Sequence, residues 1–176
     1  MTSPDLPDNL PGFDEPLALL RACHSRILDH CELLETVAAR LREDAVDDAA
    51  REAARKVVSY FTTSARLHHQ DEEADLFPLL IRQSLKLAEL IHGLKQAHAE
   101  LDALWTSLEP ELKRFPNVTD PDAFMEQASR FCEQNREHIR LENMDFLPLA
   151  DSSLSSRQLK DIGVAMAGRR GVRYPG

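Results

Sequence analysis

Glycine and aromatic residues are scarce in this sequence. Only 6 of its 176 residues are glycine and 6% are aromatic, whereas leucine, alanine, glutamate and arginine are abundant. The scarce types break helices or favour strands, and the abundant types favour helices. We therefore predict an all-α protein, and the length suits one domain with a sizeable core.

Cysteines and long apolar runs are also lacking. The 3 cysteines, Cys23, Cys31 and Cys132, form no CxxC motif, which excludes a zinc ribbon and indicates reduced thiols. No apolar run reaches the ~18 residues of a membrane-spanning helix, and the acidic, proline-rich N-terminus differs from a signal peptide. We expect a cytoplasmic protein that does not bind a membrane.

Positive charge is in deficit. The formal net charge is -9 and the isoelectric point is near 5.2. A chain with this charge repels phosphate backbones and anionic lipid. Nucleic acid is therefore not an expected partner, although the C-terminal tail GRRGVRYPG is basic.

Four amphipathic segments joined by short links make up most of the chain. Residues 1–13 contain three prolines and predict an irregular arm, whereas residues 14–150 predict four long helices that begin near positions 14, 48, 84 and 120. Residues 151–176 predict a short C-terminal helix and a basic tail. Helices with short links favour an antiparallel up-down-up-down four-helix bundle.

The apolar stripe of each predicted helix is interrupted by polar residues. The first and third helices each have one histidine in the stripe, and the second and fourth each have a histidine followed four residues later by a glutamate. These positions are His24, His68 with Glu72, His98, and His138 with Glu142. The stretch from His68 to Pro78 and the stretch from His138 to Pro148 share the same spacing of His, Glu, Asp and Pro.

Residues four apart lie on one face of a helix, so each HxxxE pair points into the predicted interior. Four imidazoles and two carboxylates are too many ligands for a tetrahedral structural zinc but enough for two bridged metal ions. Nitrogen and oxygen ligands without thiolate suit iron, manganese or zinc. Cations would also offset the cost of burying two carboxylates.

These motifs resemble the hemerythrin-like, HHE cation-binding family. The resemblance extends over roughly residues 14–150, and the segments that carry it are LLRACHSRI around His24, HHQDEEADLFP around His68 and Glu72, KQAHAELDAL around His98, and EHIRLENMDFLP around His138 and Glu142. It implies two iron ions joined by an oxo or hydroxo group, with each glutamate bridging them. It also implies that His24 and His68 serve one iron and that His98 and His138 serve the other.

The sequence departs from the oxygen-carrying members of that family on the third helix. Those proteins have an HxxxH pair there, whereas the positions four residues from His98 are Leu94 and Asp102. Two histidines per iron leave an open position on each. We therefore expect a protein that binds or reacts with O2, nitric oxide or peroxide. Its role would be sensing, storage or detoxification, or repair of iron centres with a redox or iron-protein partner.

Other polar residues flank the predicted ligands. Asp75 and Asp145 lie one heptad after His68 and His138, where each could accept an N–H from a liganding imidazole and fix its tautomer. His69 is predicted to flank the site, although a register shift of one residue would exchange it for His68. Asp71 and Glu73 are predicted to face solvent.

Three other functions fit parts of this pattern. A di-iron oxidoreductase would need a reductase partner, and a helical interaction module would bind zinc or no metal. Haem needs one or two axial histidines and would leave both HxxxE pairs unexplained. Any single histidine here is more simply a hydrogen-bonded core residue, and a single HxxxE a surface pair. Only the recurrence of the pattern on four helices favours a metal site.

Overall fold

The structure is a computed structural model that describes residues 11–175, and these residues form helices and no strands. The helices are α1 (Pro16–Arg42), α2 (Asp48–Thr62), α3 (Ser64–Gln70), α4 (Phe77–Leu80), α5 (Leu85–Arg114), α6 (Pro121–Leu141), α7 (Leu147–Ser153) and α8 (Ser156–Arg169). The all-α prediction is confirmed. Most of the predicted arm, residues 1–10, lies outside the described residues.

Short polar side chains mark the start of several helices. Asp47, Ser84 and Asp120 each accept a hydrogen bond from a backbone N–H in the first turn of α2, α5 and α6. Ser155 and Gln158 form a reciprocal capping box at the start of α8. These bonds satisfy N–H groups that have no partner inside the helix.

The long helices enclose one interior, since α1 packs against α2 and α6, and α5 packs against the same two helices. Two apolar clusters fill this interior. One includes Ile27, Phe61 and Trp105, and the other includes Leu20 and Phe146. No helix within residues 11–175 has the length and apolar character needed to cross a membrane.

Two π-helical turns, Asp71–Leu76 and Glu142–Phe146, join α3 to α4 and α6 to α7. Each turn ends two residues before a proline, Pro78 or Pro148. Because proline lacks an N–H and its ring collides with the carbonyl four residues earlier, a regular helix cannot continue through it unchanged. A π-helical turn accommodates one extra residue, and turns of this kind are a common cause of kinks in helices.

The C-terminal helix α8 is tied to the first π-helical turn by ion pairs. Arg169 and Arg170 both bind the carboxylate of Asp71, and Arg169 Nη2 also lies 2.8 Å from Asp75 Oδ2. The prediction that Asp71 faces solvent is wrong, because only 1% of this residue is exposed. Two guanidinium groups from a distant segment replace the water that Asp71 loses.

Two glycines permit the approach and the end of α8. A Cβ atom on Gly163 would collide with the backbone carbonyl of Phe13, so this glycine lets α8 pack closely against the start of the described chain. Gly171, with φ at 65°, follows α8 in the left-handed conformation that favours glycine.

We predict that Asp71→Asn destabilises the protein by about 2–3 kcal/mol. The change leaves two guanidinium groups without their shared buried carboxylate, and the effect stays below ~3–5 kcal/mol because both arginines are partly exposed. Urea unfolding measures the free energy difference. Glu52→Gln, which breaks the exposed pair between Glu52 and Arg55, is the control and should cost less than ~1 kcal/mol. Equal effects of the two substitutions would contradict the role assigned to Asp71.

Candidate metal centre

The six residues predicted as metal ligands lie together in one buried layer of the bundle. Their exposed fractions are at most 4%, and both glutamates are fully buried. The six are His24 on α1, His68 on α3, His98 on α5, His138 on α6, and Glu72 and Glu142 in the two π-helical turns. This layer separates the two apolar clusters of the core.

Each carboxylate faces imidazoles from more than one helix. The Nε2 atom of His24 lies 3.0 Å from Glu142 Oε2 and 3.7 Å from Glu72 Oε1. On the other side, His98 Nε2 lies 3.3 Å from Glu72 Oε2, and His138 Nε2 lies 3.1 Å from Glu142 Oε1. Both glutamates are therefore placed between the two sets of imidazoles.

Although these nitrogen and oxygen atoms lie close together, most of them form no hydrogen bond. All four carboxylate oxygens of Glu72 and Glu142, both ring nitrogens of His68 and the Nε2 of His24 are buried and have no hydrogen-bond partner among the described residues. Buried polar atoms are nearly always hydrogen-bonded, and unpaired buried charges are costly. Cations coordinated by these lone pairs would satisfy them, so the residues fit a metal site.

The donor atoms divide into two groups that share both carboxylates. His24, His68, Glu72 and Glu142 form one group, and His98, His138 and the same two glutamates form the other. In each group the ligand atoms lie within 4.8 Å of one another. Each group therefore has the imidazole and carboxylate donors that could hold a metal ion.

His69 lies closer to these donors than the sequence predicted. Its ligand atom is within 4.8 Å of those of His98 and His138, and its ring stacks on that of His98 with centroids 3.9 Å apart. His68 also lies in the cluster, so the structure does not exchange one histidine for the other. The adjacent pair on α3 contributes one imidazole to each end of the site.

Asn143 and Glu73, neither of them predicted to contact an imidazole, orient two of the rings. Asn143 Oδ1 lies 2.7 Å from His24 Nδ1, and Glu73 Oε1 lies 2.6 Å from His98 Nδ1. Each contact fixes the ring so that Nε2 faces the carboxylates. Glu73 and Asn143 both follow the glutamate of an HxxxE pair, so an alignment of the two repeats could have identified them. Glu73 is exposed, as predicted, and its carboxylate also contacts His98.

The aspartates predicted for that orienting role do not perform it. Asp75 binds Arg169 instead of an imidazole, and Asp145 is exposed on the surface. The reason is the π-helical turn, which adds one residue and so rotates later side chains by about 100° relative to a regular helix. Beyond Glu72 the buried position is Leu76, and beyond Glu142 it is Phe146.

The electrostatics of the layer follow from burial and from the carboxylates. Burial opposes protonation of the imidazoles, but the adjacent glutamates outweigh it and raise the pKa of His24 to about 10 and that of His98 to about 9. For Glu142, burial opposes ionisation, but His138 and His24 hold its pKa well below the usual range. The protons on His24 and His98 thus balance carboxylate charge, and cations would displace them.

The two histidines of α3 behave differently. Burial, reinforced by the nearby His24, lowers the pKa of His68 well below its usual value. Burial, reinforced by the nearby His98, does the same to His69. Both imidazoles are therefore neutral at pH 7, which is the form that binds a metal ion.

Comparison with known proteins agrees with this geometry. The sequence model of the Hemerythrin HHE cation binding domain matches residues 15–150. An uncharacterised protein of Haemophilus influenzae (strain Rd) is 29% identical over 167 residues, covering 95% of this chain and 96% of that protein. From the family match over most of its length, the chain belongs to the hemerythrin HHE cation-binding domain family.

Proposed function

We propose that the protein holds two iron ions between Glu72 and Glu142 and uses them to bind or react with O2, nitric oxide or peroxide. The observation that carries this proposal is the burial of four carboxylate oxygens that have no hydrogen-bond partner among the described residues, between imidazoles from four helices. When bound, the iron ions would supply redox chemistry and a position for a small ligand. Nitrogen and oxygen donors without thiolate suit this metal.

The ligand assignment follows the two donor groups. His24 and His68 would hold one ion, His98 and His138 would hold the other, and Glu72 and Glu142 would bridge them. The bundle that presents these groups would have the up-down-up-down order, which short connections between its long helices support.

His69 would be a third imidazole on the ion held by His98 and His138. The family pattern of oxygen carriers supplies that imidazole from the third helix, where this chain has Asp102 four residues after His98. Here a neighbouring helix presents it, and its ring lies against that of His98. The two ions would then differ, because one has two histidines and the other has three. Small ligands would bind at the ion with fewer protein donors.

The nearby polar residues would control the imidazoles and the charge. Glu73 would accept a hydrogen bond from Nδ1–H of His98, and Asn143 would accept one from Nδ1–H of His24. These bonds would keep Nε2 of each ring directed at the ions. Arg169 and Arg170 would neutralise Asp71, the residue immediately before Glu72. Without that neutralisation, a third buried carboxylate would add to the negative charge of the centre.

Metal analysis tests the proposal. Protein purified without chelator should contain about two irons per chain, with absorption bands that dithionite bleaches and air restores. Glu72→Ala and Glu142→Ala should each lose the pair of ions and keep the helical circular dichroism, because the apolar clusters supply most of the stability. Glu52→Ala, at an exposed position, is the control. Zinc alone, or no metal together with a stability that chelation does not change, would contradict the proposal.

A second substitution tests the third imidazole. His69→Ala should weaken binding of one of the two irons by at least about 10-fold, because it removes a proposed ligand and the loss of even a supporting residue costs about 10–100-fold. Competition with a chelator of known affinity measures the change. His92→Ala, an exposed position on α5, should leave both affinities unaltered. If His69→Ala behaves like His92→Ala, His69 does not bind the metal.

The orienting role of Glu73 makes a separate prediction. Glu73→Leu removes the acceptor from His98 Nδ1 and should lower iron affinity by about 10–100-fold, whereas Glu73→Gln keeps an acceptor and should lower it less. The same chelator competition reports both effects. Asp145→Leu serves as the exposed control and should have no effect. An Asp145→Leu effect as large as that of Glu73→Leu would restore the role that sequence spacing first assigned to Asp145.

A further inference from the structure

The cluster of histidines and glutamates is bordered on one side by a cavity of about 200 Å³. Each of the four helices contributes one residue to the wall of this cavity, about one turn away from the histidine that the same helix places in the cluster. These residues are Ile27, Ala65, Leu101 and Asn135, which are three positions from His24, His68, His98 and His138. Residues three apart share a helix face, so the cavity adjoins the cluster on all four helices. The His69 ring also lines it.

The opposite side of the cluster is closed. The residues four positions from His24, Glu72, His98 and Glu142 on that side are apolar and have no exposed surface. They are Leu20, Leu76, Leu94 and Phe146. Close packing of side chains leaves no room for a diffusing molecule there. Within residues 11–175, the cavity side is therefore the open approach to the cluster.

The mouth of the cavity lies between α2 and α3 on one side and α5 on the other. Thr62, Arg66, Asp102 and Thr106 line it. An adjoining depression of about 380 Å³ shares Arg66, His69 and Asp102 and adds Glu73. The outer surface thus presents three carboxylates, those of Glu73, Asp102 and Glu109, and one guanidinium, a balance that does not attract anions.

The inner walls are mainly apolar and aromatic, with Phe61, Trp105 and Phe131 beside Ile27 and Leu101. An ion would lose its hydration between such walls, whereas a small uncharged molecule would not. Asn135, buried and anchored by a hydrogen bond from Nδ2 to the carbonyl of Phe131, is the polar residue in the layer next to the histidines. A water takes up ~30 Å³ in the liquid, so molecules of two to four atoms fit easily.

We propose that this cavity is the entry route and holding site for small uncharged ligands of the metal centre, and that it excludes anions. The inference rests on the proposed function for the identity of the ligands, and on the cavity itself for the route. O2, nitric oxide and hydrogen peroxide belong to the admitted class. Nitrite and other oxyanions belong to the excluded class.

Two substitutions narrow the route without touching a proposed ligand. Thr62→Phe fills the half-buried mouth, and Ala65→Leu fills the inner layer. Thr36→Phe, at an exposed position of α1, makes the same chemical change away from the cavity. If Ala65→Leu fails to fold, Thr62→Phe still tests the route.

The first measurement uses the iron-loaded protein and stopped-flow association of nitric oxide. Thr62→Phe and Ala65→Leu should slow association by about tenfold with unchanged iron content, and Thr36→Phe should not slow it. Equal association rates in all three variants would overturn the proposed route.

The second measurement does not depend on iron, so it separates failure of the route from failure of the proposed function. Trp105 is the single tryptophan of the chain and lines the cavity. In chelated protein, uncharged acrylamide should quench its fluorescence more strongly than iodide, and Thr62→Phe should reduce acrylamide quenching by about half. Iodide quenching as strong as that by acrylamide, or acrylamide quenching that Thr62→Phe leaves unchanged, would overturn the proposal.

Discussion

Two fully buried carboxylates, Glu72 and Glu142, impose the constraint on which the rest of the structure depends. Their oxygens have no hydrogen-bond partner among the described residues, so positive charge must be supplied from side chains or cations. The carboxylates raise the pKa of His24 and of His98, which favours the charged form of both imidazoles. The bundle keeps this arrangement because an apolar cluster on each side of the layer holds the four helices in place. The two apolar clusters thus stabilise the bundle, and the layer between them holds the polar groups of the candidate metal site.

The second recurring device is the π-helical turn that contains or begins at each glutamate. One such turn lies between α3 and α4 and the other between α6 and α7, and each ends two residues before a proline. Each turn changes which of the following side chains reach the interior. One residue after each glutamate, Glu73 and Asn143 contact the lone histidine of a neighbouring helix. The two contacts have the same geometry but differ in charge, because the group that faces His98 is a carboxylate and the group that faces His24 is a carboxamide. This difference, together with His69 at one end, makes the centre chemically unsymmetrical.

Hydrophobic periodicity predicted the helices and the interior positions of His24, His68, His98 and His138, because burial follows the 3.6-residue repeat wherever the helix is regular. It failed beyond Glu72 and Glu142. There the spacing predicted Asp75 and Asp145 inside, and the extra residue of the π-helical turn placed Leu76 and Phe146 inside instead. Periodicity also could not find the contact of Asp71 with Arg169, because nearly a hundred residues separate the partners. His69 flanks the site, as expected, but its contact with the His98 ring could not be predicted, because a helical wheel ignores how closely a neighbouring helix approaches.

We propose that two cations lie between Glu72 and Glu142 and that each has its own set of imidazoles. Anomalous X-ray diffraction from iron-loaded crystals, recorded on both sides of the iron absorption edge, tests it most directly. We expect two iron peaks that share Glu72 and Glu142, one beside His24 and His68 and the other beside His69, His98 and His138. A single peak, or peaks outside this buried layer, would contradict it.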